Sequence, residues 1–206
     1  MKQNYQLLMD KQIEEFVSAG KRPRLLLHAC CAPCSSYVLE YLYSYMDITI
    51  LFYNPNISPK SEFDYRLQEL SRLIDQTDKE ITVIKPPYEP DLFLQMSKGL
   101  ENLPEGDKRC YLCYELRLKE AAKTAAEKGF DLFTTTLSIS PHKNADWINE
   151  IGKNLEAEYG VSYLYADFKK KNGYKRSIEL SKQYNLYRQD YCGCIYSKAA
   201  RQADSR

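Results

Sequence analysis

The cysteines constrain this chain more than any other feature. Seven of them lie among 206 residues, and they fall into three tight groups. These are His28-Ala-Cys30-Cys31-Ala-Pro-Cys34, Cys110-Tyr-Leu-Cys113 and Cys192-Gly-Cys194. Within Met1 to Asp10 no basic start is followed by an apolar run of signal-peptide length, which places the chain in the cytoplasm, where thiols stay reduced. Structural disulfides are then a poor account of the cysteines, and metal ligation or redox chemistry a better one. Adjacent Cys30 and Cys31 do not readily bond each other across a trans peptide, but each can ligate a metal. Between Cys34 and Cys110 lie 75 residues, too many for the short knuckles of a zinc ribbon. A folded α/β domain can assemble such a site.

The rest of the chain supplies that domain. Short apolar runs at 24–28, 47–53, 80–85, 130–135 and 161–166 read as strands. Helical periodicity covers about 2–19, 34–45, 61–75, 90–98, 111–128, 144–159, 173–184 and 195–200. Gly129 suits the residue after a helix end, and Asn144 suits an N-cap. Alternating strands and helices predict an α/β fold with a mainly parallel sheet and helices on both faces, closed by C-terminal helices. Ligands of such sheets bind beyond the carboxyl ends of the strands, where the first cysteine group and the 136–144 segment should meet. Residues 1–20 read as an N-terminal helical extension, and 21–206 as a single catalytic domain carrying every cysteine motif. No apolar stretch, Ile48 to Tyr53 included, is long enough to span a bilayer.

Each group has its own chemistry. Cys34 falls near a helix start, where the dipole favours a thiolate. The C-x-x-C pair suits a metal chelate or a redox dithiol. A disulfide across Cys192-Gly-Cys194 departs from relaxed geometry, and strained disulfides cycle easily. A redox dithiol is the favoured reading there, with metal ligation as its rival. Four thiolates can hold a [4Fe–4S] cluster, which couples one-electron to two-electron chemistry as zinc cannot. His28 is a proton donor to the site or a hydrogen-bonded core histidine.

Lysine plus arginine total 29 against 28 acidic residues, so bulk charge does not make this a coat for nucleic acid. A local basic run remains in Lys169, Lys170, Lys171, Lys175 and Arg176, with Tyr174 among them to stack on an unpaired base. His142 and Lys143 precede a helix whose N-terminus suits a phosphate.

Taken together, LLLHACCAPC, RCYLCYELRL, TTTLSISPHKN and YCGCIYS resemble the motifs of QueH-type epoxyqueuosine reductases, in family order from about residue 25 to residue 197. The resemblance implies a nucleotide-hydrolase-like (HUP-type) fold and reduction of the epoxide of epoxyqueuosine, at the wobble position of tRNA, to queuosine. It further implies a [4Fe–4S] cluster on Cys30, Cys31, Cys110 and Cys113, and a redox-active pair in Cys192 and Cys194. An additional iron or other metal ion nearby also fits the family. Cys34 matches a variable position and is left out of the ligand set. The partners expected are the tRNA and an external electron donor, with no membrane and a monomeric chain. The competing readings are a general thiol oxidoreductase and a non-catalytic zinc-dependent RNA-binding module.

Overall fold

The computed structural model describes residues 3–204. At its centre lies β1 (Arg24–His28), paired in parallel with β2 (Asp47–Leu51) on one side and β4 (Leu132–Thr135) on the other. Outward from these lie β3 (Thr82–Ile84) and β5 (Ser162–Tyr163), giving the all-parallel order β3-β2-β1-β4-β5. Three consecutive leucines show why β1 is central. Leu25 and Leu27 pack on one face, Leu26 on the other, and all three are fully buried. A strand buried on both faces reads as a continuous apolar run. Each such leucine contributes about 1.5–3 kcal/mol.

Helices cover both faces. One face receives α1 (Tyr5–Ser18), α2 (Ala32–Leu42), α3 (Lys60–Asp75) and α7 (Gly173–Gln183), through Met9, Leu39, Leu70 and Leu180 among others. The other receives α5 (Lys108–Glu127) and α6 (Ala145–Tyr159), through Leu118, Ala121, Ile148 and Ile151. Two further helices, α4 (Pro90–Ser97) and α8 (Ile195–Asp204), place Phe93 and Tyr196 around Cys113 and Cys194. None of the described helices is long and apolar enough to cross a membrane.

The sheet and helices follow the sequence expectation, with differences that matter at the site. Pro33 lies in the first turn of α2, which begins at Ala32 rather than at Cys34 and takes Cys31 as its N-cap. Asp107 caps α5 through the Lys108 N–H, so Cys110 and Cys113 lie inside that helix. Directly after β4, the Thr136–Ile139 segment forms a 3₁₀ turn. The expected 161–166 strand shrinks to two paired residues, because α1 takes over its edge. Gln12 Nε2 donates to the Tyr163 carbonyl (3.1 Å), and Gln12 Oε1 accepts from the Tyr165 N–H (3.1 Å). A side chain thus satisfies the backbone groups that another strand would have used. The N-terminal helix also buries Met9 and Ile13 in the shared core.

Gln12→Ala removes both edge bonds. It is expected to lower stability by about 1–3 kcal/mol, measured by urea unfolding. An unchanged midpoint would mean that α1 does not secure the sheet edge.

Candidate metal and thiol centre

The strand order reverses between β1 and β4, and the first cysteine group sits at the carboxyl end of that seam. His28 ends β1 fully buried. Its Nε2 lies 3.0 Å from the Tyr53 carbonyl and its Nδ1 2.8 Å from Thr135 Oγ1. A carbonyl only accepts, so Nε2 carries the proton and Nδ1 accepts from the hydroxyl. Burial pulls the His28 pKa down to about 4, so the ring is neutral near pH 7. His28 ties the ends of β1 and β4 to the loop after β2, and it lines neither cavity of the site. Asn54 Nδ2 helps by donating to the Ala29 carbonyl (2.9 Å).

The chain then turns into α2, and the turn gathers three thiols. The sulfurs of Cys30, Cys31 and Cys34 all lie within 4.8 Å of one another, with Cys30 and Cys31 3.8 Å apart. Three sulfurs at that spacing can chelate one metal centre. Hydrogen bonds from Cys31 and Cys34 hold the Cys30 thiol well below its usual pKa. The same bonds raise Cys31 to about 11 and push Cys34 well up. The lowered pKa expected for Cys34 falls on Cys30 instead. Cys34, although near the helix start, serves as a donor to it. The sequence reading left Cys34 out, yet it stands in the same triad as Cys30 and Cys31.

The other four cysteines surround a second, smaller cavity of about 20 Å³, lined by Cys110, Cys113, Cys192 and Cys194 with Arg117 and Asn56 among others. Burial raises the Cys110 thiol and pushes Cys113 up to about 12. Gly193 makes the C-x-C turn with φ +117°, which side-chain-bearing residues rarely adopt. A Cβ there would stand 3.0 Å from the Arg66 guanidinium. Buried Arg66 pairs with Glu62 (2.7 Å) and donates from Nη1 to the Cys192 carbonyl (3.2 Å), fixing the turn. Cys194 Sγ accepts from the Ser197 N–H (3.4 Å) at the start of α8. Of the four, only Cys192 also lines the larger cavity, where the first triad lies.

That larger cavity holds about 670 Å³. His142, Lys143 and Tyr174 line it. Burial works against the Lys143 ammonium, but the charges of Cys192, Cys30 and Cys34 together outweigh it and raise its pKa. Asn144 Oδ1 itself accepts from the Asp146 and Trp147 N–H groups, so the α6 N-terminus is already capped. The basic run divides. Lys169 pairs with Asp167, Lys171 with Asp10, and Arg176 with Glu40 and Glu179. Lys170 and Lys175 are exposed. Arg117 and Arg188 also line the large cavity and were not foreseen. Arg117 had a signal: it lies four and seven residues beyond Cys113 and Cys110, on one helical stripe.

Comparison with known proteins identifies this arrangement. The family model described as "Epoxyqueuosine reductase QueH" matches residues 25–200, which include every cysteine motif. The chain belongs to the QueH family. It is 46% identical to the epoxyqueuosine reductase QueH of Staphylococcus epidermidis, covering 94% of this chain and 84% of that one. It is 42% identical to the QueH of Streptococcus pyogenes (94% and 78% covered) and 35% identical to that of Thermotoga maritima (84% and 89%). The longer matches take in α1, which the QueH family model leaves out. Among solved structures, the chain is similar to the U34-tRNA thiolase NcsA of Methanococcus maripaludis with its [4Fe–4S] cluster. That match has 11% identity and a TM-score of 0.47 over 96% of this chain and 73% of that one, too loose to bear on chemistry.

In metal-free, reduced protein, iodoacetamide near neutral pH is expected to alkylate Cys30 well before Cys31 and Cys34, read by peptide mass spectrometry. Earlier labelling of Cys31 or Cys34 would contradict the placement of the thiolate.

Proposed function

We propose that this protein is an epoxyqueuosine reductase, converting epoxyqueuosine in tRNA to queuosine. In the net reaction two C–O bonds break, a C=C bond forms, and the oxygen leaves as water after taking up two electrons and two protons. The observation that carries the proposal is a three-thiol group and Cys192 of the C-x-C pair opening on one cavity of about 670 Å³ in a QueH-family chain.

An iron–sulfur cluster suits the residues present. The donors are soft thiolates, more numerous than one metal centre needs. Two buried guanidinium groups, Arg66 and Arg117, keep Nη2 atoms without partners beside them, which suits an anionic group. We assign Cys30, Cys31, Cys110 and Cys113 as the residues that would hold a [4Fe–4S] cluster, with Cys34 donating to Cys30. When bound, such a cluster supplies electrons one at a time. An additional iron or other metal ion belongs to the same proposal.

The remaining work falls to the chain. Cys192, which faces both cavities, and Cys194 store a two-electron equivalent as dithiol or disulfide. Lys143 presents a positive charge to the cavity, where negative charge grows on the departing oxygen. Tyr174 offers a ring to the modified base, and His142 borders it. Lys169, Lys170, Lys171, Lys175 and Arg176 face the tRNA backbone as a group, with exposed Lys170 and Lys175 the freest to meet phosphates. His28 is a positioning residue. The protein works in the cytoplasm as a monomer, with an external low-potential electron donor. The 21–206 region is its catalytic domain, and residues 1–20 brace it. The family match favours neither a general thiol oxidoreductase nor a zinc-dependent RNA-binding module.

Anaerobically purified protein, given a low-potential reductant, is expected to turn epoxyqueuosine in tRNA into queuosine, read by nucleoside mass spectrometry. Cys30→Ser is expected to lose iron and turnover together. Cys192→Ser is expected to keep its iron and lose at least about a hundredfold in turnover. Iron-loaded protein that forms no queuosine would overturn the proposal.

A further inference from the structure

Arg117 lies in the wall of the second cavity with a buried guanidinium nitrogen that no group of the described fold partners. It is 1% exposed and lines both cavities. Its Nε donates to the Cys113 carbonyl (3.1 Å), and the Tyr114 ring lies 5.8 Å from its guanidinium carbon. Nη2 is buried without any hydrogen-bond partner. Among the described residues no carboxylate stands within ion-pair distance of it. Glu105 borders the same cavities, but it is exposed and beyond that distance. Arg66 makes the contrast. It is equally buried, yet it pairs with Glu62 at 2.7 Å.

A buried, uncompensated charge costs several kcal/mol, and arginine cannot escape that cost by losing its proton. Some anion must therefore face Arg117. Besides exposed Glu105 and Asp190, the latter paired with Arg201, the acidic groups that share its walls are thiols: Cys110, Cys113, Cys192 and Cys194 in the smaller cavity, and Cys30, Cys31, Cys34 and Cys192 in the large one.

We infer that Arg117 is the fixed counter-cation of the redox centre, placed to face the negative charge of what the cysteines of both cavities hold and thereby favouring its reduced state. The inference rests on the redox role proposed above. Its physical basis is that reduction adds negative charge to a dry site, where one fixed positive charge acts strongly. Arg117 is a positioning and charge-setting residue, and it transfers no proton.

The test uses Arg117→Met, Arg117→Gln and Arg117→Lys in the full chain with two readouts. The first is the metal-free protein equilibrated in glutathione buffers, with the Cys192–Cys194 disulfide quantified by mass spectrometry. There the two thiols lose two electrons and two protons to oxidised glutathione, one S–S bond forms, and two reduced glutathione molecules result. Arg117→Met and Arg117→Gln are expected to shift this equilibrium toward disulfide by about tenfold, the size of one unit of thiol pKa. Arg117→Lys, which keeps the charge, is expected to stay near the unaltered protein. The second readout is the midpoint potential of iron-loaded protein. It should move more negative in the Met and Gln variants at equal iron and sulfide content.

Unchanged values in both readouts for Arg117→Met and Arg117→Gln would overturn the inference. Should those variants take up no iron or fail to fold while Arg117→Lys does both, the need for charge is supported. Failure of Arg117→Lys as well would mean that packing, not charge, explains the residue, and would overturn it. If the unaltered protein takes up no iron, the proposed cluster fails, and the glutathione equilibrium alone decides the role of Arg117.

Discussion

The parallel pairing of β1 with β4 is the constraint on which the site depends. Leu25↔Leu132 through His28↔Thr135 hold the two strands in register up to the point where both chains leave the sheet. One exit becomes the Cys30–Cys34 turn into α2, and the other becomes the Thr136–Ile139 turn. Buried His28 clamps the seam by bonding Thr135 on β4 and the Tyr53 carbonyl beyond β2. Loops at this edge can differ in sequence without disturbing the leucines that bury the strand beneath them. The thiols are therefore held by the rigid part of the molecule, as a redox site that must not reorganise requires.

Electrostatics adds the second layer. Three thiols lie within hydrogen-bonding reach, and their mutual bonds lower the pKa of Cys30 while raising that of Cys31. Around it stand three cationic side chains from three different elements: Arg66 from α3, Arg117 from α5, and Lys143 from the loop before α6. Such a concentration of buried positive charge is costly for a fold without an anion to face it. The Arg66 guanidinium also explains Gly193, since any side chain there would press on it.

Much of this was legible in the sequence. RLLLH and DITIL announced buried strands because the apolar runs are continuous and short, and the helices announced themselves by their stripes. The grouping of the cysteines was less legible. The family resemblance joined Cys30 and Cys31 to Cys110 and Cys113, whereas the fold places the last two in one cavity with Cys192 and Cys194. That depends on where α8 docks, which is set by Phe93 and Tyr196 and not by any local pattern. The charge run at 169–176 read as one nucleic-acid surface, yet long-range ion pairs to Asp10 and Glu40 engage Lys171 and Arg176. The capping role of Cys31 was hidden because Pro33 starts the helix earlier than its apolar stripe suggests.

The central claim is that the thiols at the β1–β4 seam hold redox-active metal. Anomalous diffraction at the iron edge, from crystals of anaerobically prepared protein, tests it most directly. The account expects iron density within bonding distance of the Cys30 and Cys31 sulfurs, at the wall shared with Cys192. Iron bound only away from that wall, or a single zinc in its place, would contradict it.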